Sequence, residues 1–570
     1  MKEIINKVKH SDKAYICIFL VSIFTMLPLI SNKYYYGDDT VFHAASIIGL
    51  SKDLFNGKIL SYIAGSLGYG EGIFYPQLSH YISAIILIII QNFGFGVIAS
   101  MKITHFLNVF IAGICMYQLM REILKNKKTA LIVSIFYVTI PYFLRDIYLR
   151  DAQAESLLFV FLPLLLRGLY KLYNKDYKKF IVFFTIAYVG LIYSHLVLTM
   201  YITFLGAIII LLNFKNLITK ESIKYVLISA LLIIIFAMPF IIPMLENRFN
   251  TYYYVFLDNA MSSVSNLNLH RMGIYEFIKL PEYSSCYGTN MLVLILALST
   301  IFKYRKITDN SSKFIIKNCI IIAILSGILM SKLINWEKVP YFLLLIQFPW
   351  RLQVIFNFAI CVLAGFTLDK ENMNKIITFL CLISCIFYTV RVQNVQIYKK
   401  YDIIFPTEVS KYTNEYKQKM LVEELPANMD LSEVTKFYHE YYPLYTIANI
   451  HYLIDRDLEI KIMDGKADIF EYLNQEKITF TVKNVQNARI ELPRLYYLGY
   501  SVVETLEDGR KVNIGYYQNK NGFVEFEIEH DGKIEVKYTG TYIDKIVNLL
   551  AIITFVAIIL YIIQKNKNQD

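Results

Sequence analysis

Two adjacent carboxylates, Asp38 and Asp39, are the first side chains of this sequence that could do chemistry, and they lie within YYYGDDTVFHAASIIGLSKDLFNGK. Such a pair suits proton abstraction or metal coordination, because a neighbouring like charge and partial loss of water raise the pKa of one carboxyl. A structural role is an equally good interpretation, since Asp39 or Thr40 could cap an amphipathic helix over VFHAASIIGLSKDLF. The pair alone leaves both interpretations open.

A second charged segment, LRDIYLRDAQAES, contains Arg145, Asp146, Arg150, Asp151 and Glu155. Asp151 and Glu155 are four residues apart, so on a helix they share one face and can converge on one cation or substrate. Charges at a membrane surface often serve only as anchors, and Asp146 could simply pair with Arg145 or Arg150. A binding role and an anchoring role therefore both fit this segment.

Three further polar positions could contact a substrate. Glu71 lies in GSLGYGEGIFYPQLSHYI, where glycines let the backbone approach a ligand closely. Arg351 follows Trp350 in LIQFPWRLQ, and an arginine at the level of lipid headgroups can bind a phosphate with two hydrogen bonds. His195 ends an apolar run and could contact a metal or a phosphate. The ordinary alternatives are a flexible turn, an interfacial Trp–Arg pair and a structural histidine.

The elements that position these residues are mostly membrane spans. Of the 570 residues, 56% are hydrophobic and 18% charged, and the mean hydropathy is +0.43, which is too apolar for a soluble domain. The net charge of +11 comes from Lys and Arg concentrated in short loops, which indicates topology and not nucleic-acid binding. About twelve apolar runs are long enough, or nearly so, to cross the hydrocarbon, and they begin at Tyr15, Ile103, Thr129, Ser156, Phe180, Leu196, Tyr225, Met291, Phe314, Val354, Ile376 and Ile546.

The basic loops predict the orientation of these spans. Lys and Arg concentrate at the N-terminus and in REILKNKK, KLYNKDYKK, FKNLITKESIK and KYRKITDNSSK, which we expect on the cytoplasmic side. All five fall inside only if the short run SAIILIII does not cross, so we interpret that run as an interfacial or re-entrant helix. Both termini are then cytoplasmic. Asp38 and Asp39 lie on the same outer side as the Asp151 segment.

The C-terminal part of the chain changes character. Alternating patterns appear in EKITFTVKNV, RIELPRLYYL, GFVEFEIEH and KIEVKYTG, separated by the turn signals EDG, NKNG and HDG. We therefore predict a membrane domain over residues 1–391, an extracytoplasmic, mainly β, sandwich-like domain over 392–543, and a last helix with a cytoplasmic tail over 544–570. The fold class is a polytopic α-helical membrane protein with a β domain before its last span.

The motifs resemble a known class of membrane enzyme. The order of elements resembles that of the GT-C class of polyprenyl-phosphate-dependent glycosyltransferases. It consists of one span, a long loop with an acidic residue near its start, a juxtamembrane helix, two spans and a short loop with a second acidic motif. Four motifs resemble the bacterial membrane family labelled 6-pyruvoyl-tetrahydropterin synthase-related: GDDTVFH, GYGEGIFYPQLSHYI, RDAQAE and QFPWR. LPRLYYLGYSV resembles the outer domain of YfhO-like proteins. The histidines lack the cluster that a pterin-synthase metal site requires.

The resemblance implies transfer of a sugar from a polyprenyl-phosphate donor to an extracytoplasmic glycan or lipid acceptor in cell-envelope assembly. It implies a catalytic role for Asp38 or Asp39 together with Asp151 and Glu155, and a phosphate contact at Arg351. A divalent cation, Mg²⁺ or Mn²⁺, would be held by Asp39, Asp151 and Glu155. Further candidate substrate contacts are His43, Arg150, His195 and Glu71.

Two other classes of function remain open. A transporter or flippase for lipid-linked glycans would usually bury ionisable residues near the membrane midplane, and the apolar runs here are almost free of them. A catalytically inactive scaffold for envelope assembly is the third interpretation. Retention of all the acidic positions favours an enzyme over the scaffold.

Overall fold

The computed structural model describes residues 13–30, 37–60, 62–257, 263–281, 288–370, 375–399, 430–435, 440–474 and 477–567. The basic N-terminal stretch and residues 400–429 of the predicted outer domain lie outside them. The chain divides into two compact units. The helical unit consists of Met1–Ala44, Leu78–Ile233 and Ser262–Ala427, and the sheet unit of Ala45–Gln77, Ile234–Met261 and Asn428–Asp570.

Among the described residues, ten helices are long and apolar enough to cross a membrane: Lys13–Ile30, Val97–Leu124, Lys127–Arg150, Gln153–Tyr173, Tyr177–Ser194, Ser222–Asn250, Asn310–Met330, Pro349–Asp369, Lys375–Asn394 and Tyr542–Lys565. Each matches a predicted apolar run. Only 6% of the last helix is buried, although its mean hydropathy is 2.9. So much exposed apolar surface requires lipid around it, and the predicted polytopic helical class is confirmed at this level.

Two of the predicted spans correspond to shorter helices. Leu196–Leu212 has 17 residues and Met291–Lys303 has 13. At about 1.5 Å per residue both fall short of the roughly 20 residues that a straight crossing takes. The run SAIILIII lies in another short apolar helix, Leu78–Phe93. Whether any of the three crosses the bilayer stays a prediction.

The remaining helical segments are short connections, apart from Thr40–Phe55, which has 16 residues and follows the first loop. The others are Glu71–Phe74, Phe214–Leu217, Tyr254–Phe256, Val264–Leu269, Ile274–Ile278, Tyr304–Lys306, Trp336–Lys338, Tyr341–Leu344, Leu431–Thr435, Leu444–Ala448 and Ile450–Ile454.

The core of the helical unit lies between closely packed helices. Lys127–Arg150 and Pro349–Asp369 are its most buried spans, at 94% and 89%. Small residues permit the close packing: a Cβ at Gly113 would meet the Cγ2 atom of Ile18 at 2.6 Å, and one at Gly190 would meet the ring of Phe161. The two charged segments of the sequence are attached to this rigid core.

The described residues of the sheet unit form one antiparallel sheet of seven strands: β1 (Lys461–Asn474), β2 (Lys477–Leu495), β3 (Tyr500–Leu506), β4 (Lys511–Ile514), β5 (Tyr517–Gln518), β6 (Phe523–Ile528) and β7 (Gly532–Tyr538). Their order is β4-β3-β7-β2-β6-β5, and β1 pairs with β2. Buried cross-strand pairs fix the register, among them Phe480 with Ile534 and Ile490 with Phe526.

The strands and turns were predicted, but the sandwich was not the right arrangement. The first half of β2 pairs with β7 and its second half pairs with β6. This one long strand therefore joins the two parts of the sheet. Asn484 and Asn487 take positive φ angles between those halves, at 55° and 43°. Such irregularities bend a strand, and they let one sheet curve where the sequence suggested two packed sheets.

The sheet unit also includes two segments far away in sequence. The amide of Leu495 donates to the carbonyl of Leu67 at 2.8 Å, and that of Leu498 donates to Asn247 Oδ1 at 2.9 Å. The rings of Tyr253 and Tyr497 stack with centroids 5.6 Å apart. The helix Lys375–Lys399 includes residue 391, at which we predicted the end of the membrane domain.

Candidate functional site

The loop from Gly37 to Thr40 is attached to the second charged segment by two hydrogen bonds and braced by a third. The amide of Asp39 donates to the carbonyl of Arg150 at 3.0 Å. The hydroxyl of Thr40 donates to Asp151 Oδ2 at 2.6 Å and accepts from the amide of Gly37 at 2.7 Å. A Cβ at position 37 would lie 2.5 Å from the carbonyl carbon of Arg150, so only glycine permits this approach.

The two predicted carboxylates of that loop have different surroundings. Asp38 is exposed and Asp39 is partly buried. Burial raises the pKa of Asp39 to about 6, against the lowering effect of Arg150 and with a smaller raising effect of Asp38. Within the described residues, no side chain pairs with the Asp39 carboxylate by a hydrogen bond or an ion pair. Asp39 can therefore accept a proton near neutral pH.

The second charged segment has an unusual backbone. Asp146–Arg150 form a single π turn, and Asp151 follows in a left-handed conformation with φ at 56°. Turns of this kind often occur at functional sites, because they redirect side chains out of a regular helix. This geometry sends Arg150 and Asp151 towards different partners.

Arg150 holds the carboxylates on its side of the turn. Its Nη1 atom donates to Asp146 Oδ1 at 2.9 Å and to Glu155 Oε2 at 2.7 Å. The hydroxyl of Tyr142 donates to the other oxygen of Glu155. Glu155 is 1% exposed and Asp146 is fully buried, so Arg150 bonds to both groups away from water.

Asp151 has a separate set of partners. His105 Nε2 lies 2.6 Å from its Oδ1 atom, and Thr40 occupies Oδ2. Both Asp151 and His105 are fully buried. Burial alone would raise the pKa of Asp151, but the hydrogen bond and charge of His105, aided by Thr40, outweigh it and hold that pKa below its usual value. Asp151 is thus a carboxylate under neutral conditions.

Two arginines lie over Trp350, and a third, Arg351, follows it in the chain. The guanidinium carbons of Arg145 and Arg150 lie 4.3 and 4.9 Å from the centroid of its ring. Arg351 Nε lies 3.6 Å from Glu155 Oε2, and Arg351 Nη1 donates to Gln347 at 2.6 Å. The second charged segment and the start of the Pro349–Asp369 helix therefore form one cationic cluster.

Histidines complete the surroundings. His43 Nδ1 lies 2.7 Å from Nε2 of His80, and both rings are buried. Burial, with His80 beside it, lowers the pKa of His43 to about 3. Burial and the charge of Arg351 lower the pKa of His195 to about 3 as well. Both histidines are neutral at physiological pH, and they can contact a phosphate only as neutral hydrogen-bond partners.

The predicted residues thus fall into two groups. The first group interacts within the helical unit, as the contacts and electrostatic effects above show, and consists of Asp39, Asp151, Glu155, Arg150, Arg351, His43 and His195. Glu71 belongs to the sheet unit, where it is buried at the start of the short helix Glu71–Phe74.

The three carboxylates predicted to hold a divalent cation do not fit one. Both oxygens of Asp151 and both of Glu155 already face hydrogen-bond donors, and Glu155 also faces cationic arginine. Among the described residues, no group of three or more His, Cys, Asp or Glu side chains could hold a metal ion.

The sequence reasoning missed the role of His105 and the role of Thr40 beyond a helix cap. His105 lies within the candidate span Val97–Leu124, and it is an exception to the prediction that the spans are almost free of ionisable residues. An ionisable residue in the apolar run ITHFLNVF was a usable signal. The sequence did not indicate the partner of His105, because Asp151 is 46 residues away.

Comparison with known proteins gives little functional information. No family model matches the chain. An uncharacterized protein of Lactococcus lactis subsp. cremoris (strain MG1363) is 23% identical, over 98% of this chain and 96% of that protein. The chain is therefore similar to another protein over its full length, including both units.

Proposed function

We propose that this chain is a membrane glycosyltransferase of GT-C type that moves a sugar from a polyprenyl-phosphate donor to an extracytoplasmic glycan or lipid acceptor in cell-envelope assembly. The polyprenyl tail lies among the apolar helices, and the phosphate binds at Arg351. The family resemblance of the motifs supports this donor class. The spacing of basic loops supports an outer site and two cytoplasmic termini.

One observation carries the proposal: a partly buried carboxylate, with which no described side chain pairs, lies beside a cationic cluster. The Asp39 amide is bonded to the carbonyl of Arg150, and Arg150 shares Glu155 with Arg351. Glycosyl transfer from a phosphate needs both properties. A base must take the acceptor's proton, and cations must stabilise the phosphate that leaves.

The reaction then runs as a displacement. The acceptor oxygen forms a bond to the anomeric carbon, the bond from that carbon to the phosphate oxygen breaks, and Asp39 takes the acceptor's proton. Arg351 and Arg150 stabilise the negative charge on the polyprenyl phosphate. With a pKa of about 6, Asp39 is largely ionised at pH 7, as a general base must be.

A transporter of lipid-linked glycans is the second candidate, and one observation favours it. His105 and Asp151 form a fully buried pair within the helical unit, and transporters use such intramembrane pairs to couple proton and substrate movement. In a transporter the arginines would bind the phosphate for movement and not for bond cleavage.

Purified protein in lipid vesicles can separate these functions. Radiolabelled polyprenyl-phosphate sugars of several kinds are supplied on the outer surface with a panel of acceptors, and sugar transfer and lipid translocation are measured in parallel. The proposal expects transfer without added metal and without translocation. Translocation without transfer supports the transporter, and neither activity with any donor supports an inactive scaffold.

A further inference from the structure

We infer that Thr40 and His105 are positioning residues that hold Asp39 in place through Asp151. This inference rests on the proposed function, because it concerns the residue that acts there as the base. It assigns Asp151 a role different from that implied by the family resemblance: Asp151 fixes the geometry of the reacting carboxylate and does not itself touch the substrate.

The geometry gives Asp151 no free oxygen. Its Oδ1 atom is taken by His105 Nε2 and its Oδ2 atom by the hydroxyl of Thr40, each at 2.6 Å. The side chain is fully buried. Each oxygen keeps a further lone pair, but the full burial of the side chain keeps a substrate hydroxyl from reaching it.

Thr40 transmits the position of Asp151 to the loop. Its hydroxyl accepts from the amide of Gly37 at 2.7 Å while it donates to Asp151. The amide of Asp39 is bonded to the carbonyl of Arg150 at 3.0 Å, one residue before Asp151. Asp39 and the adjacent Thr40 are therefore each attached to the same short segment, which restricts where the Asp39 carboxylate can point.

His105 is needed because a buried carboxylate is costly without compensation. One hydroxyl donor leaves half of Asp151 unsatisfied, and the imidazole of His105 supplies the second donor. The other ring nitrogen of His105 is buried and has no hydrogen-bond partner in the described chain. The Asp151 contact thus determines how the His105 ring is oriented, and the ring in turn fixes Asp151.

A matched pair of substitutions at Thr40 tests the inference. Thr40→Val keeps the shape and removes the hydroxyl, while Thr40→Ser keeps the hydroxyl. If the loop is held through this bond, Thr40→Val lowers kcat by about 10- to 100-fold and leaves the KM for the donor unchanged, because hydrogen bonds to charged groups have roughly this strength. Thr40→Ser retains most of the rate. Equal rates in the two variants overturn the inference.

A labelling experiment gives a result that does not depend on transfer. Asp39→Cys is introduced into full-length protein in vesicles, and modification of the introduced thiol by a membrane-impermeant maleimide is followed by mass spectrometry. Combining this change with Thr40→Val, or with His105→Phe, should speed the modification several-fold, because the loop is then released from Asp151, whereas Thr40→Ser should not. His105→Phe removes a core polar group, so where that variant does not fold the Thr40 pair decides the question.

The two experiments separate the inference from the proposed function. Faster labelling in Thr40→Val with no sugar transfer by the wild type sustains the positioning role and rejects the transferase. Sugar transfer by the wild type with equal labelling and equal kcat in both Thr40 variants sustains the transferase and rejects the positioning role.

Discussion

Glu491 of the sheet unit and Asp39 of the helical unit are carboxylates with different surroundings. On β2 of the sheet unit, Glu491 accepts from Tyr452 at 2.6 Å, from Arg456 at 3.0 Å and from Asn519 at 2.5 Å. In the helical unit, Asp39 is partly desolvated, and no described side chain pairs with its carboxylate. A carboxylate filled with donors stabilises structure, whereas one that is desolvated and unpaired is available to take a proton.

The largest expected effect is at Asp39. Asp39→Asn keeps the size of the side chain and removes its basicity, so kcat should fall by about 10²- to 10⁴-fold. Asp38→Asn is the matched control, because Asp38 is adjacent and exposed, and it should change kcat by less than about threefold. Initial rates of sugar transfer measure both. If Asp38→Asn lowered kcat more than Asp39→Asn does, Asp38 and not Asp39 would be the reactive carboxylate.

A smaller effect is expected at Arg351, where we propose that the phosphate of the donor binds. Arg351→Gln should raise the KM for the polyprenyl-phosphate donor by about 10- to 100-fold, because it removes charge-assisted hydrogen bonds. Arg305→Gln, at an exposed arginine, should leave it unchanged. Donor titrations at saturating acceptor check this. An unchanged KM in Arg351→Gln would remove Arg351 from the binding site.

The smallest effect on transfer is expected in the sheet unit. Glu491→Gln weakens the bonds from Arg456 and Tyr452, and should lower the stability of β2 by about 1–3 kcal/mol. Hydrogen exchange of β2 amides in the full-length protein should therefore become faster while kcat stays the same. If Glu491→Gln lowered kcat as much as Asp39→Asn does, the distinction between a structural and a reactive carboxylate would be wrong.

The sequence predicted the features that depend on local pattern. Apolar runs identified the ten long helices, alternating residues identified the strands, and charge in the loops suggested that Asp39 and Asp151 lie on one side. Features that depend on contacts between residues far apart in sequence could not be predicted from it. The pairing of His105 with Asp151 needs the register of a helix against the π turn, and the single sheet depends on one strand pairing along both halves.

The pH dependence of transfer tests the central claim most directly, because it reports the ionisation of Asp39, the proposed base. Burial raises the pKa of Asp39 to about 6, and only the ionised form can accept a proton. In the free enzyme, kcat/KM should therefore rise about tenfold per pH unit below pH 6 and level off above it. Asp39→Asn should lose this acid limb. A wild-type rate that stays level down to about pH 4, the usual range for an aspartate, would contradict the account.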